Sequence, residues 1–149
     1  RKHLVSLNAE EQITKQRRRY SVLVVDDSSI HRKNLNSALT LAGYSVATAE
    51  NGFEALKKLR NKTYSLFCVD VVMPIMDGFE FAERLRKIPA HQETPLFFIT
   101  SKTEDMERER AIQLRANEFF EKPVDIPTLM KTIDRYLGIT EDDERNAVH

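Results

Sequence analysis

The stretch "FCVDVVMPIMDGF", residues 67–79, decides how this chain is read. An apolar run ends on one acid, Asp70, and a second acid, Asp77, follows just before a glycine. A buried strand gains nothing by finishing on a carboxylate, because desolvating that charge is costly unless something compensates it. The same event occurs earlier, in "VLVVDDS", where a Val/Leu run stops at Asp26 and Asp27.

Outward from these two runs, the pattern alternates between two periods. Short apolar runs at 21–25, 45–49, 65–69, 95–100 and 118–121 suit strands. Between them the apolar residues recur at helical spacing. Leu35, Ala38, Leu39 and Ala42 form one face before Gly43, and Ala55, Leu56 and Leu59 another after the Asn51–Gly52 turn. Phe81, Ala82, Leu85 and Ile88 form a third before Pro89. Ile126, Leu129, Met130, Ile133 and Leu137 form the last, with Gly138 as its stop. A β-α unit repeated five times predicts an α/β domain with a parallel sheet covered on both faces. The fourth helix, "EDMERERAIQLRAN", is mostly charged. Only Met106, Ala111, Ile112 and Leu114 offer packing there, so it reads either as a solvated helix or as a weakly held element able to shift.

In a parallel sheet all strands point the same way, so their final residues gather along one edge, where ligands of such folds bind. That edge collects Asp26 and Asp27 after strand one, Asp70 after strand three, Thr100 after strand four and Lys122 after strand five. Three neighbouring carboxylates repel one another unless a cation intervenes. An all-oxygen donor set without His or Cys suits Mg2+, or Mn2+, rather than zinc. A metal, a lysine and a hydroxyl around one free carboxylate are the parts that phosphoryl transfer needs, and an aspartate is a competent nucleophile for it. Asp70, on the central strand, is the choice for acceptor. Asp77 reads more simply, as the turn and cap opening the third helix.

The bulk properties exclude other classes. The chain has 149 residues and zero formal net charge, so no overall field favours nucleic acid or a membrane surface. Charge is segregated, with six basic and two acidic residues in 1–19, and four acids and one arginine in 139–149. Residues 1–19 read as a basic linker or a helical extension, with Asn8 and Glu11 spaced as a capping box. Residues 139–149 read as an acidic tail. The 17–19 arginine run has no aromatic array beside it and reads as a solvated linker, not a nucleic-acid site. The lone Cys68, inside an apolar run, reads as a buried inert thiol in a reducing, cytoplasmic compartment. No stretch is long and apolar enough for membrane insertion.

The motifs "VLVVDDS", "AENGFEAL", "VDVVMPIMDG", "FFITS" and "FFEKPV", in this order and spacing, resemble the receiver domain of two-component response regulators. The resemblance covers about residues 20–138. It implies a flavodoxin-like (βα)5 fold with strand order 2-1-3-4-5. It implies transfer of a phosphoryl group to Asp70 from a histidine kinase or a histidine phosphotransfer domain. Asp27 then matches the direct Mg2+ ligand, Asp26 the one acting mainly through water, and the Val72 backbone carbonyl a further ligand beside Asp70. Thr100 matches the hydroxyl that moves toward the phosphoryl group, Lys122 the ammonium that pairs with it, and Phe119 the switching aromatic. The Lys122–Pro123 bond is expected to be cis. Ile30, Pro123 and Val124 match the docking surface for the phosphodonor. A downstream protein would read the surface of the fourth helix, fifth strand and fifth helix.

Two positions depart from the usual pattern. Phe119 carries neither hydroxyl nor imidazole, so packing alone is expected to drive its switch. Val72 and Lys102 stand where the family flanks the attacking water, and neither orients a water well, which implies slow self-dephosphorylation. His31 reads as a surface residue of the first helix, not a phosphate relay. An aspartate-nucleophile phosphatase would need a second acid two residues past the nucleophile, where this chain has Val72. A non-phosphorylated receiver-like scaffold is the main alternative. A standalone receiver and the C-terminal receiver of a hybrid kinase or coupling protein both remain open.

Overall fold

A computed structural model describes residues 7–141. Its elements run α1 (Ala9–Arg17), β1 (Ser21–Val25), α2 (Ser29–Ala42), β2 (Ser45–Ala49), α3 (Gly52–Lys58), β3 (Leu66–Val69), α4 (Gly78–Leu85), β4 (Leu96–Thr100), α5 (Asp105–Gln113), β5 (Glu118–Glu121) and α6 (Ile126–Leu137). A short 3-10 turn, Pro89–His91, separates α4 from β4. All strand pairs are parallel, in the order β2-β1-β3-β4-β5. The expected flavodoxin-like architecture is therefore present.

The central strands β1, β3 and β4 are buried almost throughout, whereas β2 and β5 are only partly covered. Continuous apolar runs thus sit where both sheet faces are packed. Alternate side chains feed two cores. Leu23, Val25, Phe67, Val69, Leu96 and Phe98 point toward α3, α4 and α5. Val22, Val24, Leu66, Cys68, Phe97 and Ile99 point toward α2 and α6. Burial pushes the Cys68 thiol up to about 12, so it remains an inert core side chain.

Every α-helix except α5 begins where its sequence offers a side-chain cap. Ser28, Asn51, Asp77 and Asp125 accept backbone N–H groups at the starts of α2, α3, α4 and α6. Asp77 is therefore a cap, as the sequence suggests. Gly43 and Gly138 close α2 and α6 in left-handed conformation. The α5 helix turns differently from expectation. Ala111 and Leu114 are buried, but Met106 and Ile112 are exposed. Starting the helix at Asp105 puts 107, 111 and 114 on the inner face, so 106 and 112 fall outside it.

Within the basic N-terminal stretch, Ala9–Arg17 form a helix, α1, opened by an Asn8/Glu11 capping box. It is clasped to the domain by polar contacts. Arg17 makes two hydrogen bonds to the Asp134 carboxylate, at 3.0 and 2.6 Å, and one to the Ala42 carbonyl. The Gln16 side chain donates to the Thr140 carbonyl at 2.6 Å and accepts from the Thr140 N–H at 2.9 Å. The acidic tail expected for 139–149 lies mostly outside the described residues. No helix among the described residues is long and apolar enough to cross a membrane.

Two described non-glycine residues, Ile75 and Arg115, take positive φ, and the β-branched Ile75 is the less suited to it. Ile75 has φ 70°, and the Met76 N–H reaches back over it to the Pro74 carbonyl at 2.7 Å, a tight γ-turn. A β-branched residue is poorly suited to positive φ, and Ile75 is 79% exposed, so its side chain returns little packing. Ile75→Gly is expected to raise stability by about 1 kcal/mol, read as a higher urea midpoint at unchanged slope.

Candidate functional site

Parallel topology carries the ends of β1, β3, β4 and β5 to one edge. Asp26, Asp27 and Asp70 meet there, each offering an oxygen within 4.8 Å of the others. The Lys122 Nζ bridges two of them, 3.0 Å from Asp26 Oδ2 and 2.8 Å from Asp70 Oδ2. The Lys122–Pro123 bond is cis, as the resemblance implies.

The three acids are not equivalent. Asp26 is only 2% exposed and is fully engaged. Its Oδ1 accepts the Ser28 N–H at 2.9 Å, and its Oδ2 meets both Lys122 and His31 Nδ1, the latter at 2.5 Å. Burial works against its charge, but the His31, Ser28 and Lys122 hydrogen bonds outweigh it and hold the carboxyl below the ordinary range. Asp70 is also buried, and its Oδ1 takes only a long 3.3 Å bond from the Val72 N–H. Asp27 is exposed. Burial alone would lower the Lys122 pKa, but its hydrogen bonds to Asp70 and Asp26 raise it above the ordinary lysine value.

Thr100 closes β4 fully buried, and its hydroxyl accepts the Lys102 N–H at 3.1 Å. Phe119, on β5, is half-buried, edge-on to Phe98 at 6.4 Å between ring centroids. Ile30 and Val72 are exposed at the same edge, with Pro123 exposed and Val124 half-buried just after Lys122. The site thus brings Asp26, Asp27 and Asp70 together with Lys122 on two of them, whereas Thr100 is bonded to its own loop and Phe119 packs on Phe98.

His31 departs from expectation. Its side chain is 18% exposed and bound to Asp26, not free on the helix surface. The Ser28 cap starts α2 so early that residue 31, in the first turn, faces back onto the acid five positions before it. Arg32 supports the same loop, donating to the Asp26 carbonyl at 2.7 Å. A cap immediately after an acid pair was the available signal for both.

An all-oxygen donor set of this geometry fits a hard divalent cation. With Lys122 already balancing one acid, two negative charges remain, which Mg2+ would neutralise; Asp27 and Asp70 would hold it most directly.

The chain is similar to several known regulatory proteins. A sequence 35% identical over 119 residues lies in the gliding motility regulatory protein of Myxococcus xanthus, covering 79% of this chain and 15% of that protein. Protein PilH of Pseudomonas aeruginosa is 31% identical, covering 78% of this chain and 97% of PilH. The chain spans less than half the length of several regulators it matches, 42% and 49% for two of them. The chemotaxis response regulator CheY4 of Vibrio cholerae superposes with a TM-score of 0.74 at 35% identity, covering 78% of this chain and 98% of that one. The model of the response regulator receiver domain matches residues 22–134. By its strand order, its acidic edge and that match, the chain belongs to the receiver-domain family of two-component response regulators.

Proposed function

We propose that this domain is a phosphorylation switch whose acceptor is Asp70, supplied in the cytoplasm by a histidine kinase or histidine phosphotransfer domain. The observation that carries this reading is the unequal engagement of the three acids. Asp26 is saturated by Ser28, His31 and Lys122, so it suits an indirect role toward a cation. Exposed Asp27 and the weakly bonded Oδ1 of Asp70 remain for metal and phosphoryl group. Mg2+, held by Asp27, Asp70 and the Val72 carbonyl, would supply charge neutralisation at the incoming phosphoryl oxygens.

The Asp70 carboxylate attacks phosphorus while the donor histidine nitrogen leaves with the bonding pair. Lys122 is already hydrogen-bonded to Asp70 and pairs with the added dianion. Thr100 exchanges its bond from Lys102 for one to the phosphoryl group. Phe119 follows, and the surface of α5, β5 and α6 changes for a downstream protein to read. Ile30, Pro123 and Val124 border the site on the α2 and α6 side, where the donor docks. Val72 is exposed and apolar, and the Lys102 backbone is turned to Thr100, so neither presents an acceptor to an attacking water.

Intact mass after incubation with Mg2+ and acetyl phosphate tests this. One adduct of a phosphoryl group is expected, lost with EDTA and absent in Asp70→Ala, with a half-life of minutes or longer. An adduct that persists in Asp70→Ala would reassign the acceptor. No adduct on the folded wild type would favour a scaffold, and loss within seconds would remove the roles given to Val72 and Lys102.

A further inference from the structure

Phe119 has no polar atom, yet its ring is not held by packing alone. The guanidinium carbon of Arg108 lies 4.9 Å from the ring centroid, in addition to the edge-on contact with Phe98. The same guanidinium donates from Nε to the Thr103 carbonyl at 3.0 Å. Thr103 belongs to the loop that leaves Thr100, and that loop is itself tied to the Thr100 hydroxyl through the Lys102 N–H. An unbroken set of contacts therefore joins Thr100, its loop, Arg108 and Phe119.

We propose that Arg108 is a positioning residue of the switch, a cationic latch that holds Phe119 in its present rotamer while Thr100 is bonded to Lys102. The inference rests on the switch reading above. An arginine over an aromatic face is attracted by the ring quadrupole, and here the carbonyl of Thr103 fixes the guanidinium in place. When the Thr100 hydroxyl turns to a phosphoryl group, the Lys102 N–H loses its acceptor and the loop relaxes. The Thr103 carbonyl then no longer seats Arg108, and the ring is released. The α5 helix is suited to such movement. Its inner face buries little besides Ala111 and Leu114, its start has no side-chain cap, and Glu107 Oε1 is buried without a hydrogen-bond partner.

The latch also explains how a phenylalanine couples to the site without a hydroxyl. The present rotamer of the ring is held by a charge on the neighbouring helix, so the coupling passes through α5 and not through β5 alone.

The test compares wild type, Arg108→Ala, Arg108→Lys, Phe119→Ala and the double variant Arg108→Ala/Phe119→Ala. Arg108 is exposed, so its single variants retain the fold, and thermal unfolding checks this for them and for the variants that remove the half-buried Phe119 ring. The readouts are the Mg2+-dependent rate of labelling by acetyl phosphate and the Thr100 methyl shift by NMR, without and with beryllofluoride. Arg108→Ala is expected to label two- to fivefold faster, the factor matching an exposed cation–π contact. Its unliganded Thr100 signal should move toward the beryllofluoride position. Arg108→Lys should fall between, and in the Phe119→Ala background the arginine should no longer matter. Equal rates and shifts in wild type and Arg108→Ala would overturn the proposal. So would an Arg108→Ala effect of the same size without the ring. Failure of the switch reading itself would appear separately, as no Asp70 adduct on wild type.

Discussion

Lys122→Met is expected to lower stability by about 3 kcal/mol in metal-free buffer, because it strands two buried carboxylates that share one ammonium. Methionine preserves the length and packing of the stem, so the loss reports charge. The deficit should shrink on adding MgCl2, which replaces the missing cation, and Asp70 labelling should nearly vanish at any Mg2+ concentration. The pH dependence has a definite sign. The Asp26 carboxyl is held below its ordinary value, so its contribution is present above the ordinary carboxylate range and lost as pH falls through the depressed value. Lys122 is held above its ordinary value, so its contribution is present below that value and lost as pH rises through the raised one. Both operate at neutral pH. Without Lys122 the Asp26 carboxyl loses one of its supports, so the deficit of the variant should narrow as pH falls and the stranded carboxyls take up protons. Urea titrations at several pH values, with EDTA or MgCl2, measure all of this. A variant as stable as wild type in EDTA would show that water already screens the two acids.

Gly78→Ala should cost at least about 3 kcal/mol, at the upper end for overpacking. A Cβ on Gly78 would stand 2.1 Å from the Asp70 carbonyl oxygen and 3.0 Å from the Val71 Cα. These are backbone atoms of the loop that carries the acceptor, and no rotamer change can move them aside. The Gly78 N–H also bonds the Val71 carbonyl at 2.8 Å, fixing the start of α4 against the end of β3. Opening this contact displaces Asp70 together with the helix. Denaturant unfolding should show the loss, and any folded fraction should label slowly with acetyl phosphate. Unimpaired labelling at wild-type stability would mean that α4 can slide without disturbing the acceptor.

Much of the fold is legible because its signals are local. Runs such as "VLVV" and "LFCV" are apolar at every position, which only strands covered on both faces require. The gathering of Asp26, Asp27, Asp70 and Lys122 follows from parallel topology without knowledge of any side-chain contact. What escapes the sequence depends on helix phase and distant partners. Met106 and Ile112 look able to pack, but the phase of α5 turns them to solvent. His31 meets Asp26 only because the Ser28 cap sets where α2 begins. Arg86 is buried with its guanidinium bonded to the carbonyls of His91, Thr94, Leu114 and Arg115, a plug no spacing rule announces. The clasp of Arg17 on Asp134 joins residues 117 positions apart.

The pairing of Gln16 with Thr140 joins residues 124 positions apart at two hydrogen bonds. Chain arriving and chain leaving are thereby pinned at a single point, at the end of α2 and α6 away from the acids. Such a body behaves as a cartridge: it can sit inside a host polypeptide without forcing the host's flanking segments apart. Joining the two strands of chain there and cutting elsewhere gives a permuted order with the same neighbours in space. Anything attached on either side would also turn about one shared pivot, so a rotation delivered by one flank is felt by the other before it reaches the sheet.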